Sequence, residues 1–184
     1  MTTKHATEER GQRRQRGLSL LEVAIVVAIL AIVGATAVPS FTALVDAHRL
    51  DGAATRLAAD VQFVRGEAIA RNRTLRLSIR AGADATCWIV HTGSADDCSC
   101  AAAGAVCGGD ALAIKSVVLP SAERVDVAGN VASIVFDPLH GTSTPTGTLR
   151  LTDGRGRSVQ HVVNVLGRVR SCSPAGAVAG YPSC

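Results

Sequence analysis

Aromatic side chains are scarce in this chain: 3% of 184 residues, as three phenylalanines, one tryptophan and one tyrosine. Phe41, Phe63 and Phe136 fall in apolar patterns, which leaves little material for the platform of stacked rings that single-stranded nucleic acid needs. The signatures of common enzymes are also missing, with no H-E-x-x-H, G-x-S-x-G or phosphate-loop pattern. The five histidines, His5, His48, His91, His140 and His161, are scattered, and His91 and His161 sit in strand-like runs as ordinary sheet residues. Nothing converges on a catalytic centre or a cofactor site, so the chain reads as a non-enzyme. No internal repeat is evident.

What is present begins at the amino terminus. Lys4, Arg10, Arg13, Arg14 and Arg16 stand against Glu8 and Glu9, and Gly17 closes this basic leader. From Leu18 to Val38 there follow 21 residues with a single charge, Glu22, and then Pro39. At about 1.5 Å per helical residue the run spans roughly the 30 Å hydrocarbon core of a bilayer. It exceeds the 7–15 apolar residues of a cleavable secretory signal. Positive charge before the run keeps the leader cytoplasmic and sends everything after Val38 across an inner membrane into the periplasm. An ionisable group inside such a span is expensive, so Glu22 is functional by default and needs a cationic partner.

Gly17 before an apolar residue, Glu22 five positions into the remaining chain and Pro39 further on resemble the class III signal of type IV pilins and type II secretion pseudopilins. The resemblance implies that a prepilin peptidase cuts between Gly17 and Leu18 and methylates the new amino terminus of Leu18. It also implies that Glu22 pairs with a subunit's terminal amine as other pilins join the filament. Leu18 departs from the usual phenylalanine, while keeping an apolar side chain.

The 146 residues after the span suffice for one modest domain with its own core. All six cysteines, Cys87, Cys98, Cys100, Cys107, Cys172 and Cys184, lie on the exported side, as expected of disulfides in an oxidising compartment. A Cys172–Cys184 pair would pin the C-terminal tail, with local pairing among the other four. Cys98-Ser99-Cys100 with Cys107 lacks two C-x-x-C units and a nearby histidine, so no metal is expected there. From Pro39 to about Arg71 the spacing of Leu50, Ala54, Leu57, Val61, Val64 and Ala68 predicts an amphipathic helix. Asp46, Asp51, Asp60, Arg49, Arg56 and Arg65 largely fall off that stripe. Pro39 should bend the helix near the membrane surface, and Asn72 should stop it.

Beyond Asn72 the period changes to two. Leu75–Ile79, Cys87–His91, Ala113–Leu119, Val131–Phe136, Thr148–Thr152 and Val159–Val165 read as strands separated by turn-forming stretches. The segment 92–110 reads as an irregular surface excursion tied by disulfides. The expected fold is α+β: a leader over 1–17, a transmembrane helix over 18–38, an amphipathic helix over 39–72, and a β-rich domain over 73–184 whose antiparallel sheet carries that helix.

Leu57-Ala58-Ala59-Asp60 through Glu67–Asn72 into the strand at Leu75–Ile79, and Gly167-Arg168-Val169-Arg170, resemble the FimT/GspH group. That resemblance implies one of two roles. FimT-like minor pilins of type IV pili include members that bind DNA through a GRxR motif for natural transformation. GspH-like pseudopilins are structural subunits of a type II secretion pseudopilus. After the leader the chain has 14 basic against 13 acidic residues, so placement rather than total decides. Arg150, Arg155, Arg157, Arg168 and Arg170 stand against Asp153 alone, whereas Asp84 to Asp137 holds seven acids against Lys115 and Arg124. Arg168 and Arg170, two apart in extended backbone, project to one side. Gly167 lets the chain turn or approach a phosphate. Double-stranded DNA, held by phosphate contacts through Arg168 and Arg170 with Arg155 and Arg157 as helpers, is the partner expected on this reading.

Overall fold

The computed structural model describes residues 19–82, 84–101 and 103–184, and within α1 the side chains of 36–39 are not among those described. Gly17 and Leu18, and hence the expected cleavage and methylation site, lie outside the described residues. One helix, α1, runs Leu20–Ala70, with Pro39 inside it. The bend expected at Pro39 falls on the undescribed side chains. Contacts divide the chain into Met1–Phe41 and Thr42–Cys184.

In the first unit Ser19 caps α1: its hydroxyl accepts from the Glu22 backbone N–H at 3.2 Å. Ser19-Leu20-Leu21-Glu22 has the spacing of a capping box, and it places Glu22 in the first turn, where the helix dipole favours an anion. The residues that follow present Leu20, Ile25, Leu30 and Ile32 to the exterior, and the helix is long and apolar enough to cross a membrane.

In the second unit α1 is the spine of a two-sheet domain. Its stripe of Leu50, Ala54, Leu57, Val61, Val64 and Ala68 is completely buried. Each large side chain in it contributes about 1.5–3 kcal/mol of burial, so the stripe holds the helix firmly to the sheets. The helix ends in a Schellman motif. Asn72 takes φ 48°, Arg73 N–H donates to Ala68 C=O at 3.1 Å, and Asn72 N–H donates to Ile69 C=O at 3.1 Å. Asparagine tolerates the left-handed conformation, which is why this residue ends the helix.

The strands are β1 (Leu75–Ala81), β2 (Ala85–His91), β3 (Cys98–Ala101), β4 (Gly104–Cys107), β5 (Ala113–Pro120), β6 (Val125–Gly129), β7 (Ser133–Phe136), β8 (Ser143–Thr144), β9 (Gly147–Asp153), β10 (Ser158–Val163) and β11 (Val169–Cys172). They pair antiparallel as β5-β2-β1-β7-β8, as β11-β10-β9-β6, and as the hairpin β3-β4. Alternation sends Leu77, Trp88, Leu149, Leu151, Val159 and Val163 into the core with the α1 stripe.

Segment 92–110 differs from its expected irregularity. It folds β3-β4 into a flap over the outer face of the five-stranded sheet, and Cys87, Ile89, Cys98 and Ala111 form a second small core there. Cystines Cys98–Cys107 and Cys87–Cys100 hold the flap, and Cys172–Cys184 ties the C-terminal tail. Arg76 donates to Ser133 Oγ at 2.7 Å and Gly93 C=O at 3.2 Å, and Arg80 donates to the Ala95 and Cys98 carbonyls. The flap covers both arginines and turns them into its anchors.

Two acids expected off the helix stripe are instead buried, because each sits on its flank and finds a cation. Asp60 accepts from Trp88 Nε1 at 2.7 Å and Lys115 Nζ at 2.5 Å. Asp46 meets Arg155 at 3.2 Å and Arg124 at 3.7 Å. The two strand histidines are also fully buried. His91 Nδ1 donates to the Thr92 carbonyl at 2.8 Å, leaving Nε2 to accept from Ser78 Oγ at 2.8 Å. His161 shares a 2.8 Å hydrogen bond with Ser171 Oγ, and its Nε2 has no hydrogen-bond partner among the described residues.

Asp60→Ala should cost about 1–3 kcal/mol, since it leaves the Trp88 indole N–H buried without an acceptor; chemical denaturation of the Thr42–Cys184 unit measures this. Burial lowers the pKa of both His91 and His161 below 6.5. The unfolded chain therefore binds protons that the folded chain refuses. Stability contributed by the neutral rings is complete above pH 6.5 and drains as pH falls below it. Melting temperature should drop between pH 7.5 and 5.5, and an unchanged value would count against neutral rings in the core.

Candidate nucleic-acid interface

The Gly167–Arg170 motif sits in the β10–β11 hairpin. Its three-residue loop, Val165-Leu166-Gly167, closes with Gly167 N–H donating to Asn164 C=O at 2.8 Å and Asn164 N–H donating to Arg168 C=O at 3.1 Å. Gly167 takes φ 69°, the left-handed residue that ends such a loop. The Asn164 side chain accepts from the Leu166 and Arg168 backbone N–H groups at 3.1 and 3.0 Å. These bonds fix where β11 starts, and therefore which way its side chains point.

Gly167 is buried, and a Cβ there would lie 2.8 Å from Arg65 Cδ and 2.9 Å from the Gly141 carbonyl. Its carbonyl accepts from Gln62 Nε2 at 3.2 Å. Of the two uses expected of Gly167, a turn or a close approach to phosphate, the structure has the turn, and the space beside it is filled by α1 and the Gly141 turn. Gly167 positions the two arginines after it.

Arg168 and Arg170 are exposed, and neither guanidinium makes a hydrogen bond or ion pair among the described residues. Arg170 lies opposite Val162 on β10, which lies opposite Thr148 on β9. One step along, Gln160 lies opposite Arg150. Directly opposed residues share a face, so Arg170, Val162, Thr148, Gln160 and Arg150 are all on the solvent side of the sheet. In the amide orientation that satisfies both groups, Gln160 Oε1 accepts from the Arg150 guanidinium. The opposite side of β10 carries Val159, His161 and Val163 into the core.

Arg155 and Arg157 are elsewhere. Arg157 forms a two-pronged pair with Asp153, 2.8 Å from Nε and 2.7 Å from Nη2, and reaches the Ala43 carbonyl at 3.3 Å. Arg155 binds Asp46 and Thr42 Oγ1, both at 3.2 Å. Both arginines therefore hold the β9–β10 turn against α1 near residues 42–46, whereas Gly167 meets α1 at Gln62 and Arg65. At about 1.5 Å per residue these places are roughly 28 Å apart along the helix. The helper role expected for Arg155 and Arg157 does not fit, because carboxylates at the other end of the sheet already engage them.

Arg150, one of the basic residues of the C-terminal stretch, shares the solvent face of the sheet with Arg170. Its signal was available in part: Thr148, Arg150 and Thr152 alternate with buried Leu149 and Leu151. That it shares a face with Arg170 required the register. The arginines between Arg65 and Arg80 are largely engaged internally: Arg65 donates to Gly141 C=O, Arg71 pairs with Glu67, and Arg76 and Arg80 anchor the flap.

Comparison with known proteins gives these features a context. The family described as type II transport protein GspH matches residues 53–167, and the prokaryotic N-terminal methylation motif matches residues 12–38. The first match ends at Gly167, so Arg168 and Arg170 lie just past it. A type II secretion system protein H from Xanthomonas campestris pv. campestris is 37% identical over 68 residues, which cover 37% of this chain and 40% of the relative. The type IV minor pilin FimU of Pseudomonas aeruginosa has a similar solved structure, with 16% identity and a TM-score of 0.49 over 68% of this chain and 92% of that one. With the methylation motif over its amino-terminal segment and the GspH match over most of its α+β domain, this chain belongs to the GspH family of pilin-like subunits.

Proposed function

We propose that this chain is a minor pilin that binds extracellular double-stranded DNA, without sequence preference, for uptake in natural transformation. In this reading a prepilin peptidase removes residues 1–17 and methylates Leu18. Glu22 then pairs with the terminal amine of a neighbouring pilin, and the apolar helix passes from the inner membrane into a filament core. The observation that carries the DNA assignment is the division of the arginines. Those at 155 and 157 are matched to carboxylates, while Arg168 and Arg170 stand exposed with no ion-pair partner among the described residues. A planar fork of donors suits phosphate oxygens. No aromatic residue stands on the solvent side of β9–β11 to stack on bases, so affinity should come from phosphates and fall steeply with salt.

A second reading, a structural pseudopilin of a type II secretion system, is favoured by the Xanthomonas relative. Mobility shifts of a duplex by the full chain in detergent, across a salt series, separate the two. The DNA reading expects a shift at low salt. It also expects Arg168→Gln with Arg170→Gln to weaken binding and flatten the log–log salt slope by about 2, one ion equivalent per lost contact. No shift at low salt would favour secretion, and undiminished binding by the double variant would remove this motif from the interface.

A further inference from the structure

We infer that Arg150, held in place by Gln160, is a third phosphate contact, and that it makes the face selective for a duplex over a single strand. This rests on the DNA-binding reading and goes beyond it by adding a residue outside the motif and a preference for one form of nucleic acid. Arg168 and Arg170 follow one strand, their backbones about 7 Å apart at the rise of two extended residues. Arg150 lies two strands across and two residues along from the position opposite Arg170, as the β9–β10–β11 register dictates. With strands about 4.8 Å apart, the Arg170–Arg150 backbone separation is about 12 Å. Measured across the line through Arg168 and Arg170, Arg150 stands about 10 Å away, and the reach of its side chain extends that to the roughly 12 Å width of the major groove of a B-form duplex. Two arginines can thus track one phosphate backbone while the third meets the backbone across the groove. A single strand offers no second rail at that spacing.

The surroundings of Arg150 support this role. It is exposed, and no carboxylate comes within ion-pair distance of it among the described residues. Its neighbour Gln160 is neutral, so the contact orients the guanidinium while leaving its charge uncompensated. The solvent-side residues around the line from it to Arg170 are Val162, Gln160 and Thr148, none of which carries a charge. Arg56, exposed on the β5 side of α1 beside Trp88 and Val117, gives a matched arginine on a different surface.

Fluorescence anisotropy tests the inference with the full chain in detergent, a 30-base-pair duplex, a 30-nucleotide single strand and a series of salt concentrations. Arg150→Gln should lose roughly 10-fold in duplex affinity at 100 mM salt and about 1 in salt slope, with single-strand binding close to native. Arg150→Lys, which keeps the charge, should retain the slope, and Arg56→Gln should bind like the native chain. Native affinity and slope in Arg150→Gln would overturn the third contact, as would equal losses on both nucleic acids or an equal loss in Arg56→Gln. If the Arg168 and Arg170 variants lose binding and Arg150→Gln does not, only this inference fails. If the native chain binds no duplex at low salt, the DNA reading fails and takes this one with it.

Discussion

Burial of one stripe of α1 organises the second unit. The five-stranded and four-stranded sheets share no ladder, yet Leu77, Trp88, Leu149, Leu151 and Val163 join Leu50, Leu57, Val61 and Val64 in a single core. A helix surface is what both sheets have in common, and apolar area removed from water is what attaches them to it. Polar bonds then set where along the helix each part sits. Asp46 receives Arg155 and Arg124, Asp51 receives Tyr181 Oη, Asp60 receives Trp88 and Lys115, and Gln62 and Arg65 reach Gly167 and Gly141.

That arrangement decides which charges are left over. Asp46 and Asp60 on α1 fix register and take cations out of circulation, while Asp51 holds the Tyr181 hydroxyl. A buried carboxylate such as Asp46 or Asp153 is tolerated only when paired, so its arginines are tied by the cost of leaving it alone. Arg155 and Arg157 thus belong to the scaffold even though the sequence sets them within a basic stretch. Arg150, Arg168 and Arg170 occupy a face on which no such acid pairs with them among the described residues. Their freedom is a consequence of where carboxylates were placed elsewhere.

This explains what could be read from the sequence. The α1 stripe was legible because 3.6-residue periodicity is local, and the long strands were legible because alternation is local. Asn72 was legible as a stop, and the left-handed cap is the mechanism. Strands β3, β4 and β6 are only four or five residues long, and β3 and β4 lie in a Gly/Ala/Ser/Cys-rich stretch where pairing depends on cystines rather than on pattern. The burial of Asp60 and the engagement of Arg155 depended on partners 28 and 109 residues away, which no window of sequence contains. Arg150 fell between these cases: its outward side followed from alternation, but its neighbour across the sheet did not.

The same alternation couples the two faces of the four-stranded sheet. Strand β10 places Val159, His161 and Val163 on the helix and Gln160 and Val162 in solvent, and β11 follows its register. A slip of one residue would turn Arg168 and Arg170 inward and Val169 outward. Two devices oppose that slip. At one end Gly167 closes the loop in a conformation few other residues adopt, wedged against Arg65 and Gly141. At the other, Cys172 is joined to Cys184, and Ser173 bonds Pro182 C=O through its N–H and Ser158 C=O through its hydroxyl. β11 is an edge strand only four residues long, with too little apolar area to hold its own alignment. Because its packing is weak, these end constraints determine which way the two arginines face, and Gly167 helps set that direction from inside the protein.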